Sequence, residues 1–274
     1  DTDAVETLVS ESRENIKRLI NLNVPFDRNE DGTLNYTREG GHSTFRIVHI
    51  KDETGKYLME SLFKELETRD NISVLEHCTL LDIIKTDNVC TGGICSYKGE
   101  NLQIHAKRTI LATGGLGGLF KSTTNFPSLT GDGIAIALKN GITIKDINYL
   151  QLHPTVLYEK DSIGKRLLLS ESLRGEGGKI RNLKGAEFVD SLKPRDVVSR
   201  AILKQIAKTP ETPYVYLDMT HLKKDFLMKR FPYLYDECLK RGYAMEKDML
   251  PVSPAHHYAM GGIKVNLYGE TSLK

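Results

Sequence analysis

The segment ILATGGLGG, Ile110 to Gly118, decides how the fold is interpreted. A short apolar run ends there in Thr113-Gly114-Gly115, where paired glycines let the backbone adopt positive φ or approach another group closely. The pattern predicts a buried strand that leads into a glycine turn. A turn that merely closes a sheet would explain this segment, taken alone, equally well.

A second motif follows further along the chain, TGDGIAIALKNG, Thr130 to Gly141. Its apolar spacing predicts a compact helix that stops at Gly141. The Gly-Asp-Gly opening would present free backbone N–H groups to an anion, and Asp132 could accept hydrogen bonds from ribose or ribityl hydroxyls. The simpler alternative is that Asp132 only caps the helix. Together and in this order, the two motifs favour a flavin nucleotide site.

Periodicity elsewhere predicts helices and short strands in separate regions. Helices are expected from about Thr2 to Leu22 and from Asp52 to Arg69, with a loop from Asp27 to Ser43 between them. Between Ile72 and Leu111, five β-rich runs predict a strand followed by a β-meander. These runs are ISVLEH, TLLDIIKT, VCTGGICSY, LQIHA and RTILA.

The pattern loosens after Leu150, where we place a domain boundary. Helical segments are expected near Ser170–Leu173, Pro194–Ala207 and Phe226–Arg241, with strands at TPYVYLDM and at the final GGIKVN. The domains predicted from this pattern cover residues 1–150, an inserted region over 151–257, and a return to the first domain over 258–274.

Composition places the chain among globular proteins and excludes several functional classes. Hydrophobic residues make up 39% and charged residues 27%, and the formal net charge is +2. No basic tract suggests a nucleic-acid partner. No apolar run approaches the roughly 20 residues that a membrane span needs. Zinc-protease, serine-hydrolase and P-loop motifs are absent from the sequence.

The cysteines and the first residues add two expectations. Cys78, Cys90, Cys95 and Cys238 show no CxxC pair and no metal-ligand spacing, so we expect reduced thiols of a cytoplasmic protein and no metal site. The chain starts directly with an amphipathic helix and without an initiator Met. We therefore expect it to be a piece of a longer protein.

Polar residues crowd the segment REGGHSTFRIVH, Arg38 to His49. Its paired glycines would let Glu39 or His42 lean into a pocket. Exposed polar clusters on loops, however, often serve solvation alone.

A further group of polar residues lies after the domain boundary. It includes His153 in LQLHPTVL, Glu171 and Arg174 in LSESLRGEGG, Arg195 in KPRDVVSRA and His257 in SPAHHYAMGGI. Each has a structural alternative, such as a strand-end histidine or a surface ion pair. As a set they suit a small dicarboxylate, because an arginine fork can hold one carboxylate and histidine donors the other. A second acid such as Glu39 would hold a substrate ammonium.

These motifs, with ILATGG, TGDGIAIA and LDMTHL, run in the order found in the succinate dehydrogenase/fumarate reductase flavoprotein family, which the chain resembles over nearly its whole length. The version REGGHSTFRIVH resembles the branch of that family that oxidises L-aspartate. The resemblance implies α/β and α+β structure. It makes the first region a partial FAD-binding domain of the two-dinucleotide-binding type with a β-meander, and the inserted region an α+β capping domain.

The resemblance also implies roles for single residues. Arg195, His153 and His257 would be catalytic and bind the substrate carboxylates, and Arg195 would deliver the proton in the fumarate-reducing direction. Glu39 would face the substrate amino group, with Ser170 and Glu171 beside the carboxylate pocket. The residues expected along the FAD are Thr113, Gly114, Gly115 and Asp132.

The implied reaction is oxidation of L-aspartate to iminoaspartate, with oxygen or fumarate reoxidising a non-covalently held FAD. It would be the first step of bacterial quinolinate and NAD biosynthesis, with quinolinate synthase as the functional partner. The chain departs from the family pattern because it lacks the GxGxxG unit and the GE…GANRL segment. As it stands, we expect it to bind FAD weakly or not at all and to be inactive.

Two other functions remain open at this stage. A fumarate reductase or succinate dehydrogenase flavoprotein would use the same chemistry without the amine. A cofactor-free dicarboxylate-binding domain would keep the anion site without flavin chemistry. A third possibility is that the clustered polar residues only stabilise loops.

Overall fold

The computed structural model of the protein describes residues 1–274. The α-helices are Thr2–Asn21 (α1), Thr54–Glu67 (α2), Asp132–Lys139 (α3), Glu171–Gly175 (α4), Arg195–Ile206 (α5), Lys224–Arg230 (α6) and Pro232–Lys240 (α7), with one 3-10 turn at Gly117–Leu119. The strands are Tyr36–Thr37 (β1), Ile47–Val48 (β2), Cys78–Thr86 (β3), Val89–Tyr97 (β4), Glu100–His105 (β5), Ser122–Thr123 (β6), Ile144–Lys145 (β7), Leu150–Leu157 (β8), Gly164–Lys165 (β9), Lys179–Arg181 (β10), Val215–Asp218 (β11), Leu250–Ala259 (β12) and Gly262–Ile263 (β13).

The chain forms two compact units, and each is built from separate stretches of sequence. The first unit contains Asp1–Asn71, Leu152–Ser162 and Arg166–Ala255, and the second contains Ile72–Gln151, Ile163–Lys165 and His256–Lys274. The division into a partial FAD-binding domain over 1–150, a capping domain over 151–257 and a return over 258–274 stays a prediction.

The first unit has an antiparallel sheet at its centre. Ile180 in β10 pairs with Leu217 in β11, and Leu217 pairs with Leu250 in β12. All three side chains are fully buried. Helix α5 adds Val198 and Ile202, four residues apart and therefore on one face of the helix. Burial of these apolar surfaces is the main stabilising contribution to this unit.

The N-terminal segment packs within the first unit through polar contacts. Arg230 in α6 donates to the carbonyl oxygen of Lys51 at 2.8 Å and to the hydroxyl of Thr37 at 3.0 Å. Asp52 accepts a hydrogen bond from the backbone N–H of Leu234 at the start of α7, at 2.8 Å. These bonds satisfy the half-buried arginine and an otherwise unpaired N–H of a helix start.

The second unit contains the β-meander and helix α3. Strands β3, β4 and β5 pair antiparallel in sequence order. A small apolar cluster consists of Ile83, Ile136, Ala137, Ile142 and Leu273. Strand β6 pairs in parallel with β9, and Thr123 in β6 pairs in parallel with His256 at the end of β12.

Several expectations about elements are confirmed. Helices α1, α2 and α3, the three strands of the meander and strand β11 lie where the periodicity predicts them. The cysteines are free thiols, as expected; Cys95 and Cys238 are buried, whereas Cys78 and Cys90 are half-buried. Burial raises the pKa of the Cys238 thiol to about 12.

Other expectations are wrong. The runs ISVLEH and RTILA form no strand, and Ile110 is 89% exposed instead of buried. An extended segment becomes a strand only when a neighbour pairs with its backbone, and no segment pairs with these two runs. The helix expected over Phe226–Arg241 is two helices, because Pro232 lacks an N–H and its ring interrupts the preceding turn. The loop expected over Asp27–Ser43 contains the short strand β1.

The start of α3 also differs from the simpler alternative. Gly131 is the N-cap, with φ of +78°, and Asp132 is the first helical residue. The Asp132 carboxylate accepts a hydrogen bond from the Thr130 hydroxyl at 2.7 Å, so it is not the helix cap.

Candidate functional site

A buried ion-pair cluster in the first unit contains several of the predicted site residues. Ser170 caps α4, and Glu171 and Arg174 follow one turn apart on the same helix. A carboxylate oxygen of Glu171 pairs with the Arg174 guanidinium. The other oxygen accepts a hydrogen bond from Nε of Arg195, the first residue of α5, at 2.7 Å. One carboxylate thus joins two guanidinium groups.

Arg174 is the most deeply buried charge of this cluster. It is fully buried and donates to the carbonyl oxygens of Ser191 and Lys193 as well as to Glu171. Burial lowers the pKa of the Arg174 guanidinium, and the charge of Glu171 opposes that effect. Glu171, Arg174 and Arg195 alone carry two positive charges and one negative charge, so these three side chains suit an anionic ligand.

Glu39 belongs to the same cluster electrostatically. Burial and the negative charge of Glu171 raise the pKa of the Glu39 carboxyl above its usual range, while the charges of Arg195, His42 and Arg174 act in the opposite direction. Glu39 therefore lies close enough to Glu171, Arg174 and Arg195 for their charges to act on its carboxyl, and its role towards a substrate ammonium stays a prediction.

Two glycines bring the Glu39 segment close to α4. A Cβ on Gly40 would lie 2.8 Å from Oε1 of Glu171 and 3.0 Å from Nη1 of Arg174. A Cβ on Gly175 would lie 2.2 Å from the carbonyl oxygen of Arg38. Side chains at these positions would push the two segments apart, so the glycines permit the close approach.

His153 and Ser170 are also in the first unit. His153 is buried, and its Nδ1 accepts a hydrogen bond from the backbone N–H of Thr155 at 3.3 Å. A neutral imidazole that accepts at Nδ1 carries its proton on Nε2, where it can donate to a carboxylate. The hydroxyl of Ser170 lies 2.7 Å from that of Ser172, in the first turn of α4.

His257 lies in the second unit at the end of β12. Its Nδ1 is 2.7 Å from the hydroxyl of Thr124, and its carbonyl oxygen accepts a hydrogen bond from the Asn125 amide at 2.7 Å. Sequence reasoning missed Thr124 and Asn125. Their position shortly after the glycine motif, in the segment KSTTN, is the only indication that the sequence offers.

The second unit brings the two glycine motifs together. A Cβ on Gly133, in the first turn of α3, would lie 1.9 Å from the hydroxyl of Thr113. The backbone N–H of Gly131 donates to the carbonyl oxygen of Gly115 at 3.1 Å. The predicted residues Thr113, Gly114, Gly115 and Asp132 therefore surround the N-terminus of one helix.

This arrangement fits part of a dinucleotide. Thr113, Gly114 and Asp132 are exposed, and nothing lies within 4 Å of the position that a Cβ on Gly115 would occupy. Open glycine backbone beside a helix N-terminus can approach a phosphate or a ring closely. The exposed side chains of Ile110 and Leu119 on this segment would supply apolar contact.

Two further classes of site find no support in the structure. No helix has both the length and the apolar character that crossing a bilayer demands. No group of three or more His, Cys, Asp or Glu side chains is arranged to hold a metal ion.

The sequence has clear relatives. L-aspartate oxidase from Clostridium acetobutylicum is 50% identical over 272 residues, which is 99% of this chain and 62% of that protein. L-aspartate oxidase from Clostridium perfringens is 47% identical with the same coverage. A solved mutant of E. coli quinol fumarate reductase FrdA has a TM-score of 0.91 at 30% identity, covering 99% of this chain and 50% of that chain.

The chain thus spans less than two thirds of the length of these relatives. The family described as FAD binding domain matches residues 1–274. That match covers all of the glycine motifs and the ion-pair cluster described above. The chain therefore belongs to the FAD binding domain family of flavoproteins.

Proposed function

We propose that this chain is the substrate-handling part of a flavoprotein that oxidises L-aspartate to iminoaspartate, with oxygen or fumarate as the electron acceptor. The observation that carries the proposal is the cluster of Glu39, Glu171, Arg174 and Arg195, in which arginine charge for a carboxylate lies beside a second acid for an ammonium. The names of the Clostridium relatives support the same substrate.

The substrate carboxylates would be held by Arg195, His153 and His257. The bond from Nε of Arg195 to Glu171 fixes the plane of the guanidinium, so its orientation is set before a ligand arrives. His153 would donate from Nε2, because its Nδ1 already accepts a backbone hydrogen bond. Ser170 would border this pocket from the start of α4.

Glu39 would hold the ammonium group of aspartate. An ammonium beside the carboxylate favours the anionic form, which offsets the effects of burial and of Glu171 on the pKa of Glu39. This pairing separates aspartate from succinate, which has no amine to receive the charge.

Arg195 would also move the proton in the fumarate-reducing direction. A guanidinium stays protonated in water, so an Arg195 that gives a proton to the substrate carbon must regain one at once from a neighbouring acid. Glu171, whose oxygen lies 2.7 Å from Nε of Arg195, would return that proton after taking one up itself.

FAD, held non-covalently by Thr113, Gly114, Gly115 and Asp132, would accept the hydride from the substrate carbon. The family match and the open glycine backbone at the start of α3 support this assignment. We propose that the 274-residue chain alone binds FAD weakly or not at all and is inactive. A stoichiometric flavin spectrum of the purified chain would contradict that part of the proposal.

The test of the function is a steady-state assay of the full-length protein supplied with FAD. Peroxide release is followed with L-aspartate and, separately, with succinate. Aspartate-dependent peroxide with little response to succinate is the expected result. Turnover of succinate without turnover of aspartate would overturn it.

A fumarate reductase or succinate dehydrogenase flavoprotein is the second candidate, favoured by the likeness to E. coli quinol fumarate reductase. Glu39→Gln separates the two. In an aspartate oxidase, the variant loses aspartate oxidation and keeps fumarate reduction, whereas equal loss of both favours the second candidate. A cofactor-free dicarboxylate-binding domain would instead bind fumarate equally well with and without FAD.

We further propose that the protein is cytoplasmic and acts before quinolinate synthase in NAD biosynthesis. The chemistry supports this order, because iminoaspartate hydrolyses in water and needs a consuming enzyme close by. Quinolinate formation from aspartate in a mixture of the two full-length proteins would test it. If the mixture forms no quinolinate although each enzyme is active alone, quinolinate synthase is not the partner.

A further inference from the structure

Four hydrogen bonds hold the end of β12 around His257, and the longest runs from the Thr124 hydroxyl to the carbonyl oxygen of His256 at 3.5 Å. The Thr124 hydroxyl lies 2.7 Å from Nδ1 of His257, and the Asn125 amide donates to the His257 carbonyl oxygen at 2.7 Å. The backbone N–H of Thr124 donates to the carbonyl oxygen of His256 at 2.9 Å. Both the ring and the backbone of His257 are therefore held by the two residues that follow β6.

A packing contact holds the residue before His257. The imidazole of His256 stacks on the Phe120 ring with centroids 4.0 Å apart and an interplanar angle of 4°. His256 is 3% exposed, and neither of its ring nitrogens has a hydrogen-bond partner. Stacking therefore anchors His256, and no polar contact of its ring competes with the hydrogen bonds at His257.

The chemistry of a carboxylate ligand assigns a direction to the Thr124–His257 bond. A carboxylate only accepts hydrogen bonds, so an imidazole that binds it must donate. A neutral imidazole has one N–H, and donation from Nε2 requires that Nδ1 accept. The single proton of the Thr124 hydroxyl must then go to Nδ1 at 2.7 Å and not to the more distant carbonyl oxygen of His256 at 3.5 Å, and it thereby stabilises the tautomer that carries the proton on Nε2.

We propose that Thr124 is a positioning residue for substrate binding: its hydroxyl holds His257 in the tautomer and orientation that donate to a dicarboxylate. This inference rests on the proposed function, in which His257 binds a substrate carboxylate. Asn125 supports the same geometry through the backbone. Neither residue contacts the substrate in this role, and their effect is exerted through His257.

The test compares Thr124→Val with Thr124→Ser in the full-length protein loaded with FAD. Valine keeps the shape and removes the donor, whereas serine restores the donor. The expected result for valine is a KM for aspartate and a Kd for fumarate raised roughly five- to tenfold, the size of one neutral hydrogen bond, with a smaller change in kcat. Serine restores both values to within about twofold of wild type.

Rescue by serine supplies a readout that loss of packing would not give. Serine lacks the methyl group of threonine and keeps its hydroxyl, so recovery of KM and Kd in Thr124→Ser depends on the hydrogen-bond donor and not on the filled volume.

The outcomes separate this inference from the proposed function. If wild type neither oxidises aspartate nor binds fumarate, the proposed function fails. If wild type does both and Thr124→Val keeps the wild-type KM, the positioning role is overturned. Should the valine variant not fold, Thr124→Ala is the second variant. An alanine variant with wild-type fumarate affinity would also overturn the role.

Discussion

Glu171 lies between two guanidinium groups, and this arrangement sets how the first unit responds to loss of a charge. Breaking a buried pair by removing one partner costs more than the pair contributes, because the remaining charge stays desolvated. Arg174 is fully buried, so its charge has no access to water. The cluster is therefore a point where stability and the proposed ligand binding depend on the same side chains.

We expect Arg174→Met to destabilise the protein by about 3 kcal/mol, since Glu171 would keep only Arg195 as a partner. Arg200→Met is the matched control, because Arg200 is 76% exposed and its pair with Asp196 spans 3.6 Å. The control should change stability by less than about 1 kcal/mol. Urea unfolding of both variants measures the difference. Equal midpoints would show that the buried pair contributes nothing beyond a surface pair.

The proposed role of Glu39 predicts a pH dependence of aspartate binding. Burial and Glu171 raise the pKa of its carboxyl, so more of the free enzyme carries a neutral Glu39 as pH falls. A neutral carboxyl cannot pair with an ammonium, and aspartate affinity should weaken with falling pH through the Glu39 pKa. Fumarate has no ammonium, so its affinity should not follow that change. Dissociation constants of both ligands across pH measure the effect, and identical profiles would contradict it.

His256 makes stability depend on pH. Burial lowers the pKa of its imidazole, so the unfolded chain binds a proton that the folded protein does not. Its contribution to stability is complete above about pH 6.5 and is lost as pH falls from there through the folded-state pKa. His256→Phe keeps a ring against Phe120 and removes the titration.

Thermal unfolding from pH 7.5 to pH 5 should show a smaller loss of stability for His256→Phe than for wild type. Some acid sensitivity should remain, because burial and the charge of Arg230 also lower the pKa of His49. A variant with the wild-type slope would show that His256 does not titrate in this range.

Among the helices and strands, the sequence predicts those whose local pattern of apolar and turn residues determines their structure. Helix α1 carries an apolar stripe of helical period, and the meander has short runs separated by turn residues. Strands β8 and β12 contain Pro154, Pro251 and Pro254. Because proline has no N–H to donate to a neighbouring strand, the local sequence does not predict strands here. These two segments are strands because segments distant in the sequence pair with them, and the local sequence contains no information about such pairing.

The candidate site shows the same limit. The motifs around Glu39, Glu171 and Arg195 suggest a shared anion site, and the structure brings these three side chains into one cluster. The bond between Thr124 and His257 joins residues 133 positions apart. No periodicity or spacing can indicate such a contact, because it depends on the parallel pairing of β6 with β12.

Two glycines near the start of α3 allow the effect of a substitution on folding stability to be separated from its effect on FAD binding. A Cβ on Gly115 would meet no protein atom within 4 Å, whereas one on Gly133 would lie 1.9 Å from the Thr113 hydroxyl. Gly115→Ala should leave the melting temperature of the full-length protein unchanged and lower its FAD affinity about tenfold, equivalent to roughly 1.4 kcal/mol. Gly133→Ala should lower both the melting temperature and the FAD affinity. Undiminished FAD affinity in Gly115→Ala would remove that glycine from the flavin site.

For the whole molecule, the two units differ in how much apolar surface each buries. The core of the first unit includes the fully buried residues Leu173, Ile180, Leu217, Leu227 and Leu250. The second unit has a smaller cluster around Ile83 and Ile136, and its glycine segment exposes Ile110. Because local opening is resisted mainly by buried contacts, the units should open with different free energies.

Hydrogen exchange measures this difference directly. In the 274-residue chain, the amides of β10 and β11 should exchange slowly, because Ile180 and Leu217 pair within the larger core. The amides from Ile110 to Gly115 should exchange fast, because that segment is exposed and pairs with no strand. Adding FAD to the full-length protein should then slow exchange in the segment from Ile110 to Gly115 and leave β10 and β11 unchanged. Protection of β11 without protection of the glycine segment would place the flavin elsewhere, because a bound ligand stabilises the conformation that it contacts.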